Sequence, residues 1–351
     1  MKKATKVIAG IAMMICMAAA LCGCGKKETL KLFLPGEYLG ENVIADFEDE
    51  YNCKVIVETF DSNEAMMTKV QAGDKYDVLI PSDYMIERLL KENMLQKIDK
   101  SVVTRLDVLV DQVKNAGYDP NNDYSVPYFW GNAGIVYNNK NVTLEELEEQ
   151  GYDIFANPKY KDRVYMYDSE RDGFMIALKQ LGYSCNTEND AEIEEAYQWL
   201  LAMNKATNPV YNTDEIIDNM IHGLKDLALM YSGDAVTITM ENEDMSYFVP
   251  ECGTNLWIDA MVIPTNAENP KLANKFLNFM LNYDQCEDGA LTVCYTTPNK
   301  DVLADLIKEG GEFEGIDSYV PRANAENDEL YHDNEHLRKK LAELWIKVKA
   351  K

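Results

Sequence analysis

Between Leu30 and Asn93 the chain alternates strand-like and helix-like patterns, and that alternation restricts the fold more than any other feature. "LKLFLPGE" reads as a strand running into a Pro-Gly turn, and "ENVIADFEDEYN" carries apolar residues at helical spacing. "CKVIVETF" is strongly β in character; "SNEAMMTKVQAG" opens with Ser62 in a capping position and closes on Gly73. "YDVLIPSDY" is another buried strand, followed by the helix "MIERLLKEN". A β-α-β-α-β run specifies a parallel sheet with right-handed crossovers. The strand "AGIVYN" starts a second unit at Ala133. Helices around "GFMIALKQLGY", "AEIEEAYQWLLAMN" and "DEIIDNMIHGL" follow, then the strands "LALMYSGD" and "LWIDAMVIP". One long helix, "PKLANKFLNFMLNY", and a terminal helix, "NEHLRKKLAELWIKVK", complete the chain. A length of 351 residues exceeds one comfortable core. With no Ser/Gly linker between them, two α/β units are expected to exchange chain more than once.

The first residues address the compartment. Lys2, Lys3 and Lys6 precede an apolar run too short and wrongly flanked for a membrane span, as in a secretory leader. It ends in "LCGC", which resembles a bacterial lipobox. Residues 1–23 are therefore expected to be removed and Cys24 to carry lipid, with 24–29 as a tether. Two acyl chains suffice for stable anchoring where one would be marginal. With 60 acidic against 34 basic residues, the chain is a poor nucleic acid binder and should repel anions. Beyond the leader and Cys24 stand Cys53, Cys185, Cys252, Cys286 and Cys294, scattered singly. That pattern is neither a disulfide framework nor a zinc site.

Open α/β sheets bind ligands at the carboxyl ends of strands, and polar residues gather there. "PSDY" places Ser82 and Tyr84 after a strand, and "MYDSERD" places Asp168, Ser169 and Asp172 at a strand-to-helix turn. Tyr231 ends a strand in "MYSGDA", and Tyr295 precedes a turn in "CYTTPN". Singly, each has an ordinary structural explanation, such as a helix cap for Ser82 or Asp168 or a core tyrosine for Tyr84 or Tyr231. Asp259 is harder to place. It lies amid Ile258, Ala260, Met261 and Val262, two residues after Trp257, so strand alternation sends both out by one face. A carboxylate there needs a partner.

Catalytic patterns are weak. His332 and His336 lie one helical turn apart, but Asp333 stands where the zinc-protease pattern has Glu. Asp168 and Asp172 could form a glycosidase pair, although acidic pairs are common in so acidic a chain. No G-x-S-x-G elbow, Walker loop or dinucleotide fingerprint occurs.

Taken in order, "GEY", "SNEAMMTKVQAG", "YDVLIPSDY", "LQKIDKS", "DPNNDYSVPYFWG", "LGYSCNT", "LWIDAMVIP" and "TTPN" resemble the polyamine (spermidine/putrescine)-binding proteins of ABC importers. The resemblance implies a type II periplasmic-binding-protein-like α/β fold with a ligand cleft between two lobes, here expected at 30–130 plus 258–300 and at 131–257 plus 301–351. It implies a monomeric capture protein, not an enzyme, with no cofactor or metal. Its partners would be a polyamine and an ABC permease. It would act at the extracytoplasmic face of a bacterial membrane or in the periplasm. Carried over by motif, the ligand residues are Glu37, Tyr38, Ser82, Tyr84, Ser169, Asp172, Tyr231, Trp257, Asp259 and Tyr295, with Asp168 adjacent. Rings would line the methylene chain and carboxylates would hold the ammonium ends. The chain departs from the family at Pro35 and Tyr231, where aromatic residues and Trp are usual. The remaining readings are a binder of another small cation or a hydrolase using Asp168, Asp172 or Asp259.

Overall fold

A computed structural model describes residues 27–322 and 325–350; the expected leader and Cys24 lie outside the described residues. Strands β1 (Thr29–Pro35), β2 (Lys54–Phe60) and β3 (Val78–Leu79) are parallel, with β1 between the other two. The connecting helix Asn63–Gln71 is capped by Ser62, whose hydroxyl accepts from Ala65 N at 3.2 Å. Gly73, at φ 96°, turns the chain out of that helix. β3 is shorter than its apolar run suggests. Pro81 has no N–H to continue the ladder, and Ser82 makes only an isolated bridge to Asp259.

The remaining strands make the sheet mixed rather than parallel. They are β4 (Ser125–Asn138), β5 (Val164–Tyr167), β6 (Val210–Asn212), β7 (Leu227–Tyr231), β8 (Met245–Phe248) and β9 (Leu256–Val262). Their order is β2-β1-β3-β9-β4-β7-β5-β6, with β8 also on β4. β9 runs antiparallel to β3 and β4, and β4 antiparallel to β7. The 14 residues of β4 are all buried. Ser125 to Asn132 pair with β9, whereas Ala133 to Tyr137 pair with β7, so one strand serves both halves. The sequence reading began this strand at Ala133; it begins at Ser125. Pro127, beside a register shift, and Gly131 disguise its first half.

Three segments of the chain lie side by side where β4 changes partners. Beside the Asn132–Ala133 step, Thr254 Oγ1 donates to Ala133 O at 2.6 Å and Ala133 N to Asn255 O at 3.2 Å. Asn255 in turn bridges to Glu329. Leu30, Leu32, Val78, Val126 and Met261 pack with Phe47 and Phe276 in the first half. Val164, Met166 and Leu229 pack with Phe174, Leu200 and Trp345 in the second. The helix expected over 270–283 ends early, as Pro270–Phe279, and a further helix, Tyr283–Val293, follows it. Cys53, Cys185, Cys252, Cys286 and Cys294 are free thiols. Among the described residues no helix is long and apolar enough to cross a membrane.

Candidate functional site

On β9, Ile258 packs with Val110, Val113 and Trp130 on one face, while Trp257 and Asp259 leave by the other. Gly131 lies opposite Trp257, and a Cβ there would come within 2.4 Å of the indole. The glycine is what gives the ring its seat. Tyr38, in the turn after β1, donates to Asp259 Oδ2 at 2.5 Å. Asp259 Oδ1 and Trp257 Nε1 are buried without hydrogen-bond partners. Burial pushes the Asp259 carboxyl up to about 6, although the Ser82 and Tyr38 hydroxyls draw it down.

Five rings form a continuous wall from this carboxylate. Tyr38 meets Tyr295 edge-on at 5.7 Å, Tyr295 meets Trp257 at 5.2 Å, and Trp257 meets Tyr231 at 6.1 Å. Tyr231 then meets Tyr167 at 5.0 Å. Two more carboxylates hold hydroxyls of these rings. Asp172 accepts from Tyr231 at 2.6 Å and from Tyr331 at 3.0 Å. Asp234 accepts from Tyr295 at 2.8 Å, and burial pushes its carboxyl up to about 7 with Asp214 adding to the rise. The arrangement is an aromatic strip bordered by three acids, two buried and Asp234 partly so, drawn from both halves of the sheet. Such a surface is suited to alkyl groups along its length and to cations at its edges.

A family model for bacterial extracellular solute-binding proteins matches residues 42–314. The chain belongs to this family. The spermidine/putrescine-binding periplasmic protein of Salmonella typhimurium is 35% identical over 276 residues, 78% of either chain. Among solved structures, a putative spermidine/putrescine ABC transporter protein from Listeria monocytogenes superposes with a TM-score of 0.82 at 34% identity. That match covers 92% of this chain and 99% of the other. A spermidine/putrescine substrate-binding protein of Streptococcus pneumoniae gives a TM-score of 0.78 at 32% identity, covering 92% and 98%.

In this solute-binding protein, Tyr38, Asp172, Tyr231, Trp257, Asp259 and Tyr295 come together. Ser82 sits at the Asp259 bridge with its hydroxyl bonded by Asn63 at 3.0 Å. Tyr84 stands at the end near Tyr331, 6.4 Å between ring centroids, its hydroxyl 3.3 Å from Glu64. Ser169 caps the helix Glu170–Gln180 and accepts from Asp172 N, so it orients Asp172. Glu37 is exposed in the left-handed region, φ 51°, beside Tyr38. Asp168 belongs elsewhere: Lys349 holds both its oxygens, at 2.5 and 2.8 Å, and Trp345 Nε1 donates to it at 2.9 Å. It ties down the terminal helix Glu335–Lys349.

Sequence reasoning passed over Asp234, Tyr167 and Tyr331. Asp234 stands three residues past Tyr231, in the first turn of the helix Ser232–Glu241, where an acid reads as a favourable dipole partner. Tyr331 precedes the His332–His336 segment considered for metal. There His332 meets Glu87 and His336 meets Asp190, on separate partners.

Proposed function

We propose that the protein captures a polyamine outside the cytoplasm and delivers it to an ABC permease, tethered through lipid on Cys24 and acting as a monomer without catalysis. The carrying observation is the five-ring wall bordered by Asp259, Asp234 and Asp172. A flexible alkylamine needs apolar surface for its methylenes and anions for its nitrogens. Cation–π contact contributes about 0.5–2 kcal/mol and a charge-assisted hydrogen bond about 1.5–3 kcal/mol. An ammonium buried without either is unfavourable, so the separation of the acids measures the ligand.

In this reading Tyr38, Tyr231, Trp257 and Tyr295 line the alkyl chain, Asp259 and Asp172 hold nitrogens, and Asp234 joins them. Ser82 and Tyr84 close the ends, Ser169 positions Asp172, and Glu37 faces incoming cations at the mouth. The lobes would comprise 30–130 plus 258–300 and 131–257 plus 301–351, closing on the ligand. Calorimetry with putrescine and spermidine tests capture. Saturable one-to-one binding with no product formed is expected. Binding of neither amine, or binding only of an unrelated cation, would overturn the assignment. Conversion of a bound substrate would restore the hydrolase reading.

A further inference from the structure

Outside the three-acid wall the molecule holds a buried cation. Arg171, in the first turn of the helix Glu170–Gln180, is 8% exposed. Its guanidinium carbon lies 3.9 Å from the ring centroid of Tyr84 and 5.5 Å from that of Tyr331. Its Nη2 is buried with no hydrogen-bond partner. A guanidinium has a flat, weakly hydrated face that stacks on rings, so this cation is lodged among aromatic faces. That is an unusual choice beside a wall proposed to hold cations.

The three groups come from different parts of the fold. Tyr84 belongs to the helix Asp83–Lys91, which packs on β9 of the first half. Arg171 follows β5 of the second half. Tyr331 is held to that second half through Asp172, and the next residue, His332, donates its N–H to Asn186 Oδ1 at 2.8 Å. The stack therefore exists only when the halves meet. Further along the same face of the Asp83–Lys91 helix, at spacings of three and four residues, stand Glu87 and Lys91. Glu87 accepts from Asp333 N at 2.8 Å, and Lys91 pairs with the Asp333 carboxylate at 3.4 Å. One helix face thus carries a stacked cation at the site and an ionic rim outside it, both reaching across the cleft.

We propose that Arg171 is a positioning residue that holds the halves together through Tyr84 and thereby retards ligand release. Contacts made only in the closed form add to its stability whether or not they touch the ligand. They must break before the ligand leaves, while entry occurs before they form. The dissociation rate is therefore the quantity they govern.

Arg171→Met in the full chain tests this. Small-angle scattering of the free protein should show a larger radius of gyration than the unsubstituted chain. Stopped-flow measurements should show dissociation of putrescine and of spermidine accelerated by one common factor of roughly tenfold, with association changed less than about twofold. Arg171→Lys keeps the charge without the flat stacking face and should recover only part of the effect. An unchanged radius and unchanged dissociation would overturn the proposal. So would tighter binding, or an effect on one amine alone, since either makes Arg171 a ligand-facing charge. Should Arg171→Met fail to fold, the double variant Glu87→Gln/Lys91→Met on the rim must move both quantities in the same direction, and its failure to do so is equally decisive. The kinetic arm rests on polyamine capture. If the unsubstituted protein binds neither amine, that reading falls, and the scattering of the free protein still decides the closing role.

Discussion

Asp259 gives one oxygen to Tyr38 and keeps the other buried without a hydrogen-bond partner, which is why the proposed site assigns it a ligand nitrogen. Asp259→Asn preserves shape and removes charge. It should weaken polyamine binding by about 1.5–3 kcal/mol, roughly ten- to a hundredfold, while the empty protein melts no lower. Calorimetry beside thermal melts checks both, and a collapse of the empty fold would make Asp259 a structural group. Asp83, Asp234 and Asp259 are all raised by burial, to about 8, 7 and 6. At these three positions the folded chain binds more protons than the unfolded chain, whose aspartates titrate at about pH 3.9. Their contribution to the stability of the empty protein is fully present below that value and is lost as pH rises through 6 to 8. A dication reverses the preference by favouring the ionised acids, so putrescine affinity should increase over the same range with proton release on binding. Calorimetry in buffers of different ionisation heat reads the protons; a flat melting temperature from pH 5 to 8 would contradict the scheme. At this scale the sequence was informative where periodicity conflicts with polarity. Asp259 stood out because a strand core rejects a lone carboxylate. Asp234 did not, since an acid in a helix's first turn has an ordinary explanation, and Asp168 looked available because Lys349 lies far away in sequence.

Elements show a similar division. β1 to β3 were legible because each is a short apolar run bounded by turn residues. β4 was half hidden: its Pro127 and Gly131 read as breaks, yet both are accommodated by the partner strand. Gly131 in particular is shaped by Trp257, a residue 126 positions later in the chain, and no local rule reveals that. Gly131→Ala tests the seat. Its Cβ would lie 2.4 Å from the indole and 2.6 Å from Ser232 Oγ, so the strand or the ring must shift. The expected result is a loss of about 1–3 kcal/mol in stability together with weakened polyamine binding and an altered tryptophan emission. Retained stability and affinity would mean that the indole seat tolerates displacement. Mixed strand direction was the other element-level surprise. The βαβ rule governs connections through a helix, whereas β9 enters from a later segment and faces the opposite way.

For the whole molecule, composition and the leader-like first residues pointed to an extracytoplasmic protein, and the proposed lipid anchor supplies the remaining test. Cys24→Ser should move the protein from the membrane fraction into the soluble fraction without changing its affinity for putrescine. Unchanged fractionation would remove lipid on Cys24 as the main tether. The mixed α/β architecture was legible in outline, but the three side-by-side segments required coordinates, because they join residues near 132, 255 and 329. The placement of β9 between β3 and β4 also orders the birth of the fold. Until residues 256–262 are available, β3 lacks its partner on that side and the first eight residues of β4 lack theirs. A chain stopped short of β9 would expose two unpaired strand edges, an invitation to aggregate. Completion must wait for contacts spanning more than a hundred residues, which makes folding slow by the loop-closure argument. Such a chain stays unfinished, and pliable, until almost three quarters of it has been made.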